Sequence, residues 1–283
     1  KQIFVAVDGS EPSTKALKKA GHLAIQYDVP LVIINVIDTR SVSWSNIDVS
    51  HLWEEMKKEA EQLLEKCKKD AKTIGVIDVK TKLLYGNPRV EIPKKINSET
   101  SKSLVVFGGS GRNAVERMFI GSVTEASVRR VSNDVLIIKS EKDTLTYRHI
   151  LVAVDGSEQA EQALVQAIEL ANVYGAQLTI THVVEQVQKT EEHDESEVQK
   201  EKAMLHHYKQ TAENNGVKAV QTILHFGNPR KELPLKLTVE QNIDLLMTGA
   251  TGRGAVERIF TGSVAHASLH HAPCDVLIVR YEN

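Results

Sequence analysis

The chain lacks most of the features that narrow a protein's setting at a glance. Its 283 residues include only two cysteines, Cys67 and Cys274. They stand at non-equivalent places in the two halves compared below, so no disulfide framework is expected and a reducing compartment fits. No apolar run approaches the roughly 20 residues that a helix needs to cross a bilayer. Neither sign of charge dominates: 35 Lys and Arg against 37 Asp and Glu leave a net charge of −2. That balance excludes a global attraction to nucleic acid or to an acidic membrane. Lys1-Gln2-Ile3-Phe4 enters an apolar run at once, so no secretory leader is expected. A cytoplasmic protein with neither nucleic-acid nor membrane partners is expected. The remainder, 41% hydrophobic and 25% charged, is ordinary for a globular chain.

What is present is a repeat. Gly108-x-x-Gly111, nine residues and Gly121-Ser122 recur as Gly249-x-x-Gly252, nine residues and Gly262-Ser263. Val5-Ala6-Val7-Asp8-Gly9-Ser10-Glu11 returns unchanged as residues 152–158, and Tyr85-Gly86-Asn87-Pro88-Arg89 returns as Phe226-Gly227-Asn228-Pro229-Arg230. Between Gly111–Lys139 and Gly252–Arg280, 16 of 29 positions are identical. A period this long means two similar domains rather than a solenoid of small units. Residues 1–141 and 148–283 are the expected domains, each large enough to bury a core. The short polar stretch Ser140–Tyr147 is the expected linker.

Each half shows the same order of elements. In the first, apolar β-branched runs at Ile3–Val7, Leu31–Ile37, Val79–Leu84, Leu104–Phe107 and Val135–Ile138 alternate with helical stretches. Ala16, Leu17, Ala20, Leu23, Ala24 and Tyr27 share one helix face, repeated by Ala163, Leu164, Ala167, Leu170, Ala171 and Tyr174. Pro12 suits a first helical turn, where its missing N–H costs nothing. Strands that alternate with helices and read as continuous apolar runs predict an α/β fold, a parallel sheet with helices on both faces. In such open sheets ligands bind beyond the carboxyl ends of the strands. Asp8 and Asp155, Val36 and Val183, Gly86 and Gly227, and both glycine-serine loops all map to that rim. A glycine turn after a strand, leading into a helix opened by Ser, makes a site for phosphate.

Plainer readings stand beside these. Gly and Ser before a helix are also a turn and an N-cap, worth about 1 kcal/mol. Asp8 and Asp155 also suit turns ahead of Gly9 and Gly156. The Gly-Asn-Pro-Arg segments read as helix starts. Gly109-x-Gly111-x-x-Ala114 matches a dinucleotide fingerprint, but its second copy has Ala250 first and neither opens a βαβ unit. His266 and His270 have a spacing that can hold a metal, yet Glu125 and Arg129 replace them in the first half, so a helix-end surface role is expected and no metal site. His206-His207 and the acidic run Glu191–Glu197 read as solvated, the latter as a loop. Ser41–Trp53 reads as a lid, a partner contact or a packed loop.

The Val-Ala-Val-Asp-Gly-Ser opening, the Gly-Asn-Pro turn and the G-x2-G-x9-G-S loop, each present twice, resemble the universal stress proteins, specifically their nucleotide-binding branch. The likeness covers essentially the whole chain. It implies two tandem open-sheet domains, each a five-stranded parallel sheet in the order 3-2-1-4-5, binding ATP, AMP or ADP at up to two sites per chain. By the same resemblance Asp8 and Asp155 hold the adenosine, and backbone groups of Val36 and Val183 read the adenine. Gly108, Gly111, Gly249 and Gly252 admit ribose and α-phosphate. Gly121, Ser122, Gly262 and Ser263 bind phosphate oxygens, Arg112 and Arg253 reach the outer phosphates, and Mg2+ enters only with ATP. Where the family often has His before the second glycine, this chain has Ser110 and Thr251. The family's last strands pair across a two-fold axis, so Asp134–Lys139 and Asp275–Arg280 are expected to form an intrachain pseudo-dimer, with a homodimer of whole chains a further expectation. No Gly-Lys-Ser/Thr loop, Gly-x-Ser-x-Gly elbow, Ser-Gly-Gly-x-Asp-Ser loop or His-Ile-Gly-His motif occurs. A nucleotide-responsive regulator in the stress response is therefore expected. The alternative is a slow ATP hydrolase or adenylate-forming enzyme of a related fold.

Overall fold

The computed structural model describes residues 1–41, 49–99, 102–109, 120–140, 145–185, 195–251 and 262–280. The chain divides into two compact units, Lys1–Ile138 and Lys139–Asn283. The first runs β1 (Gln2–Ala6), α1 (Glu11–Tyr27), β2 (Leu31–Ile37), α2 (Val49–Thr73), β3 (Val79–Tyr85), α3 (Pro88–Asn97), β4 (Ser103–Gly108), α4 (Ser122–Arg130) and β5 (Asp134–Ile138). The second runs β6 (His149–Ala153), α5 (Glu158–Tyr174), β7 (Gln177–Glu185), α6 (Glu195–Asn214), β8 (Val220–Gly227), α7 (Pro229–Lys231), a π-helical stretch Glu232–Leu237, α8 (Thr238–Glu240), β9 (Leu245–Gly249), α9 (Ser263–His271) and β10 (Asp275–Val279).

Within each unit the paired strands are parallel. In the first unit β1 lies between β2 and β4, with β3 beyond β2 and β5 beyond β4. The second repeats the order as β8-β7-β6-β9-β10. This is the α/β architecture and strand order that the repeat and the resemblance imply. Runs such as Leu31–Ile34 and Leu245–Met247 are buried because helices cover both faces. In the first unit α1 and α2 share one face, and α3 and α4 the other, where Asn97 Nδ2 donates to the Arg130 carbonyl at 2.8 Å.

Helix α1 turns its alanine-rich stripe inward: Ala16, Leu17, Ala20, Leu23 and Ala24 are all buried. The alanines let the helix sit close, and each fully buried leucine contributes about 1.5–3 kcal/mol. Ala163, Leu164, Ala167, Leu170 and Ala171 do the same in α5, while Tyr27 and Tyr174 are only half-buried. Ser10 and Ser157 cap the two helices, accepting from the amides of Ser13 and Ala160, and Pro12 sits in the first turn. At the far end the halves part: α1 closes on Asp28 with φ 48°, α5 on Gly175 with φ 62°.

Two segments depart from the sequence reading. Glu195–Glu197, expected in an acidic loop, form the first turn of α6, where carboxylates favour the helix's positive end. Pro93 and Pro234 are equivalent; α3 carries Pro93 inside a regular helix, whereas the stretch around Pro234 opens into π-helical turns. A proline lacks the N–H for the i−4 bond and crowds that carbonyl, so wider turns are one way to seat it. Of the linker, residues 141–144 lie outside the described residues. Its ends are held by buried Asp275, which accepts from the amides of Lys139 and Ser140 at 2.8 and 2.9 Å and from the Tyr147 hydroxyl at 2.9 Å.

Candidate nucleotide site

The rim is built by turns that follow the strands. In the first unit Asp8 comes two residues after β1, and its Oδ1 accepts from the Ser10 amide at 3.0 Å. The Asp8 amide in turn donates to the Ser13 hydroxyl at 3.4 Å. Partial desolvation raises the Asp8 pKa, but hydrogen bonds from Ser10 and Ser13 outweigh it, so the carboxyl is held below its usual range. In the second unit Asp155 Oδ1 accepts from both the amide and hydroxyl of Ser157, at 3.0 and 2.5 Å. Ala160 replaces Ser13 there. Gly9 and Gly156 hold φ of 81° and 75°, which a glycine adopts without strain.

Val36 and Val183 lie near the ends of β2 and β7, in register with Leu84 and His225. The residue before each valine is polar and buried in an otherwise apolar strand. Asn35 Nδ2 donates to the Val7 carbonyl at 2.7 Å, and His182 Nδ1 bonds the Val154 carbonyl at 2.7 Å. Both therefore pin the backbone immediately before the rim aspartate. Sequence reasoning missed this pair, although a polar residue inside an apolar run was its signal.

Gly108 and Gly249 end β4 and β9, the neighbours of β1 and β6. A Cβ on Gly108 would lie 2.5 Å from the Pro12 carbonyl carbon and oxygen, and one on Gly249 would lie 3.0 Å from the Gln159 carbonyl carbon. Close packing of the strand end on the first turn of α1 or α5 thus demands glycine here before any ligand does. The structure brings Asp8, the start of α1 and Gly108 together, and repeats the arrangement with Asp155, α5 and Gly249.

Gly121 and Gly262 are the N-caps of α4 and α9, which Ser122 and Ser263 open, and neither cap makes a side-chain hydrogen bond. A helix begun this way presents first-turn amides that no cap side chain satisfies, which suits an anion. Thr124 Oγ1 donates to the Gly108 carbonyl at 3.3 Å, tying α4 to the strand end. In the second unit Ala265 replaces Thr124, and the Gly262 amide donates to the Ala250 carbonyl at 2.5 Å. Gly111, Arg112, Gly252 and Arg253 lie outside the described residues.

Asn87 and Asn228 cap α3 and α7 through the amides of Arg89 and Arg230, after Gly86 and Gly227 with φ of 127° and 150°. These are helix starts, as read from sequence. Trp53, on α2, stacks against Tyr85 at the end of β3 with ring centroids 5.5 Å apart. Residues 42–48 of the segment before it lie outside the described residues. His206 and His207 are exposed on α6. The rings of His266 and His270 lie 4.4 Å apart on α9, His266 exposed. Among the described residues no helix is long and apolar enough to cross a membrane.

Comparison with known proteins agrees with this geometry. The sequence model of the universal stress protein family matches residues 1–139 and again 146–280. A protein of Staphylococcus aureus (strain USA300) carrying the name of a universal stress protein is 44% identical over 144 residues, covering 49% of this chain and 87% of its own. The crystal structure of a universal stress protein from Archaeoglobus fulgidus DSM 4304 superposes with a TM-score of 0.77 at 25% identity, covering 99% of this chain and 98% of that one. A functionally unknown protein from Pseudomonas aeruginosa PAO1 shares the fold at 15% identity, with a TM-score of 0.64 over 99% of this chain and 92% of its own.

Proposed function

Since the chain belongs to the universal stress protein family, we propose that it is a stress-response regulator whose two units each bind one adenine nucleotide, ATP, ADP or AMP. One observation carries the reading. Twice in the chain, an ordered aspartate turn, a glycine strand end and a helix start without a side-chain cap meet on adjacent strands. Chance repetition of a turn does not reproduce all three parts.

In this reading Asp8 and Asp155 accept hydrogen bonds from the adenosine. Backbone groups of Val36 and Val183 read the adenine, held in place by Asn35 and His182. Gly108, Gly111, Gly249 and Gly252 bring main chain to the ribose and α-phosphate. Phosphate oxygens meet the first-turn amides and hydroxyls at Gly121-Ser122 and Gly262-Ser263, where the helix dipole favours negative charge. Arg112 and Arg253 serve the outer phosphates, and Mg2+ accompanies only ATP. Binding rather than turnover is the output, exerted through conformation or partners. No lysine of a phosphate loop is present to stabilise a transferring phosphoryl group.

The test is to denature protein purified without added nucleotide, identify what it releases, and titrate the emptied chain. Two adenine nucleotides per chain, falling to one in Asp8→Ala and in Asp155→Ala, is the expected outcome. No binding at millimolar concentration would overturn the proposal.

A further inference from the structure

The two units differ in what leads from their second strand into the helix that follows. The repeats stand 147 residues apart at Asp8 and Asp155 but 141 at Gly75 and Gly216, so the first unit carries six extra residues between those points. Leu64 and Ala71 of α2 are buried, and so are Leu205 and Ala212 of α6, each 141 positions on. The helices are matched in register, and the extra residues fall between the end of β2 and that stretch of α2. Helix α2 carries Leu52 and Trp53 within its first two turns. Both tryptophans of the chain, Trp44 and Trp53, belong to this unit, and by the same spacing Asp194 holds the place of Trp53 in the second.

This tryptophan lies at the rim. Its ring centroid is 5.5 Å from that of Tyr85, with the planes tilted by 33°. Tyr85 ends β3 in register with Ile37, the residue after Val36, and the Gly86 amide donates to the Ile37 carbonyl at 3.0 Å. The aromatic pair flanks the strand end to which the proposed site gives the base. Farther along α2, a Cβ on Gly9 would lie 3.7 Å from Leu63 Cδ1. One helix thus covers the turn of Asp8 and carries the tryptophan. The pair is not sealed into the core: Trp53 is half-buried, Tyr85 is 44% exposed and neighbouring Leu52 is 41% exposed. Large apolar and aromatic surface left open beside a ligand rim is surface that a flat ring can cover.

We infer that Trp53 and Tyr85 form an aromatic wall on which the first unit stacks the base of its nucleotide, an inference that rests on the nucleotide site proposed above. A base stacked by its face keeps its polar edge free for the backbone of Val36. The gain comes from ring contact and excluded water, not from phosphate, so ATP, ADP and AMP share it. The second unit has Phe226 where the first has Tyr85, but residues 186–194, which lead into α6, contain no Trp, Tyr or Phe. The tryptophan's contribution belongs to the first site alone.

The full chain supplies its own reporter, because Trp44→Phe leaves Trp53 as the sole tryptophan. In that background, with only the first site intact (Asp155→Ala), AMP should quench Trp53 emission along the binding curve given by equilibrium dialysis. With only the second intact (Asp8→Ala), dialysis should show AMP bound while emission stays constant. Trp53→Ala should weaken AMP at the first site about tenfold and leave the second unchanged. Trp53→Phe keeps a ring and should recover most of that loss, which a merely structural role for the indole does not predict. Unchanged first-site affinity in Trp53→Ala, an equal loss in Trp53→Phe, or emission indifferent to AMP held at the first site would overturn the wall and leave the nucleotide proposal standing. Dialysis showing no AMP at either site would overturn the nucleotide proposal, and the wall with it.

Discussion

The two units reach one architecture through the same turns, yet they secure those turns differently. In the first, Ser13 receives the Asp8 amide, Asn35 pins Val7 and Thr124 ties α4 to Gly108. In the second, Ala160 and Ala265 remove two of these bonds, and His182 takes over the third while its Nε2 lies 3.3 Å from Glu201 of α6. What both keep is the backbone path: a positive-φ glycine after each aspartate, a glycine strand end and a glycine N-cap. The lesson is that the rim's shape is carried by main-chain constraints, while the side chains that brace it are exchangeable.

The largest effect expected to distinguish the units comes from the strand-end glycines. Gly108→Ala forces a Cβ to 2.5 Å from the Pro12 backbone, whereas Gly249→Ala meets Gln159 at 3.0 Å. Overpacking against backbone that cannot yield should cost the first unit about 2–3 kcal/mol and the second about 1 kcal/mol. Denaturant titration followed by hydrogen exchange in each unit measures both. Equal losses would show that α1 and α5 shift to the same extent.

Next is the alkaline behaviour of the second unit. Burial pushes the Cys274 thiol up to about 12 and the Lys139 ammonium down to about 8. The two act with opposite signs. Between about pH 8 and the ordinary lysine value, the unfolded chain keeps a proton that folded Lys139 has released, so stability rises with pH. Above the ordinary thiol value of 9.0 the unfolded chain loses a proton that folded Cys274 retains, so stability falls. The second unit should thus gain up to about 1 kcal/mol from pH 8 to 9, stay nearly level while the two effects cancel up to the ordinary lysine value of 10.5, and lose stability beyond. Lys139→Met should flatten the rise and Cys274→Ala should soften the fall, both read by urea midpoints across pH. In the first unit, burial raises the Cys67 thiol as well, so its stability also declines in alkali.

The smallest effect lies at the helix ends. Asp28 holds φ 48° where Gly175 holds φ 62°. Left-handed backbone suits glycine, so Asp28→Gly should stabilise the first unit by about 0.5–1 kcal/mol, and Gly175→Asp should destabilise the second by a similar amount. Thermal melts check the pair. An unchanged melt in Asp28→Gly would mean that the aspartate's side chain offsets its backbone strain.

Much of this was legible without coordinates. Residues 5–11 recurring as 152–158, with matched glycine-serine loops, determine two like units. Alternating apolar runs and amphipathic helices determine a parallel α/β sheet, with element ends off by a residue or two, as at Gln2–Ala6 and Ser103–Gly108. Helix starts at Asn87 and Asn228, and a first helical turn at Pro12, followed from local chemistry alone. These features are local: they depend on backbone preferences and on periods of two or 3.6 residues. Tertiary structure alone decided that Gly108 must be glycine because Pro12 crosses it, that Asn35 and His182 reach across to a neighbouring strand, and that Glu201, 19 positions beyond His182 in the chain, returns to face its ring. Such contacts depend on where a helix lies over a sheet, and no periodicity records that position. An asparagine and a histidine interrupt an apolar run alike, and only packing supplies the carbonyl that each one bonds.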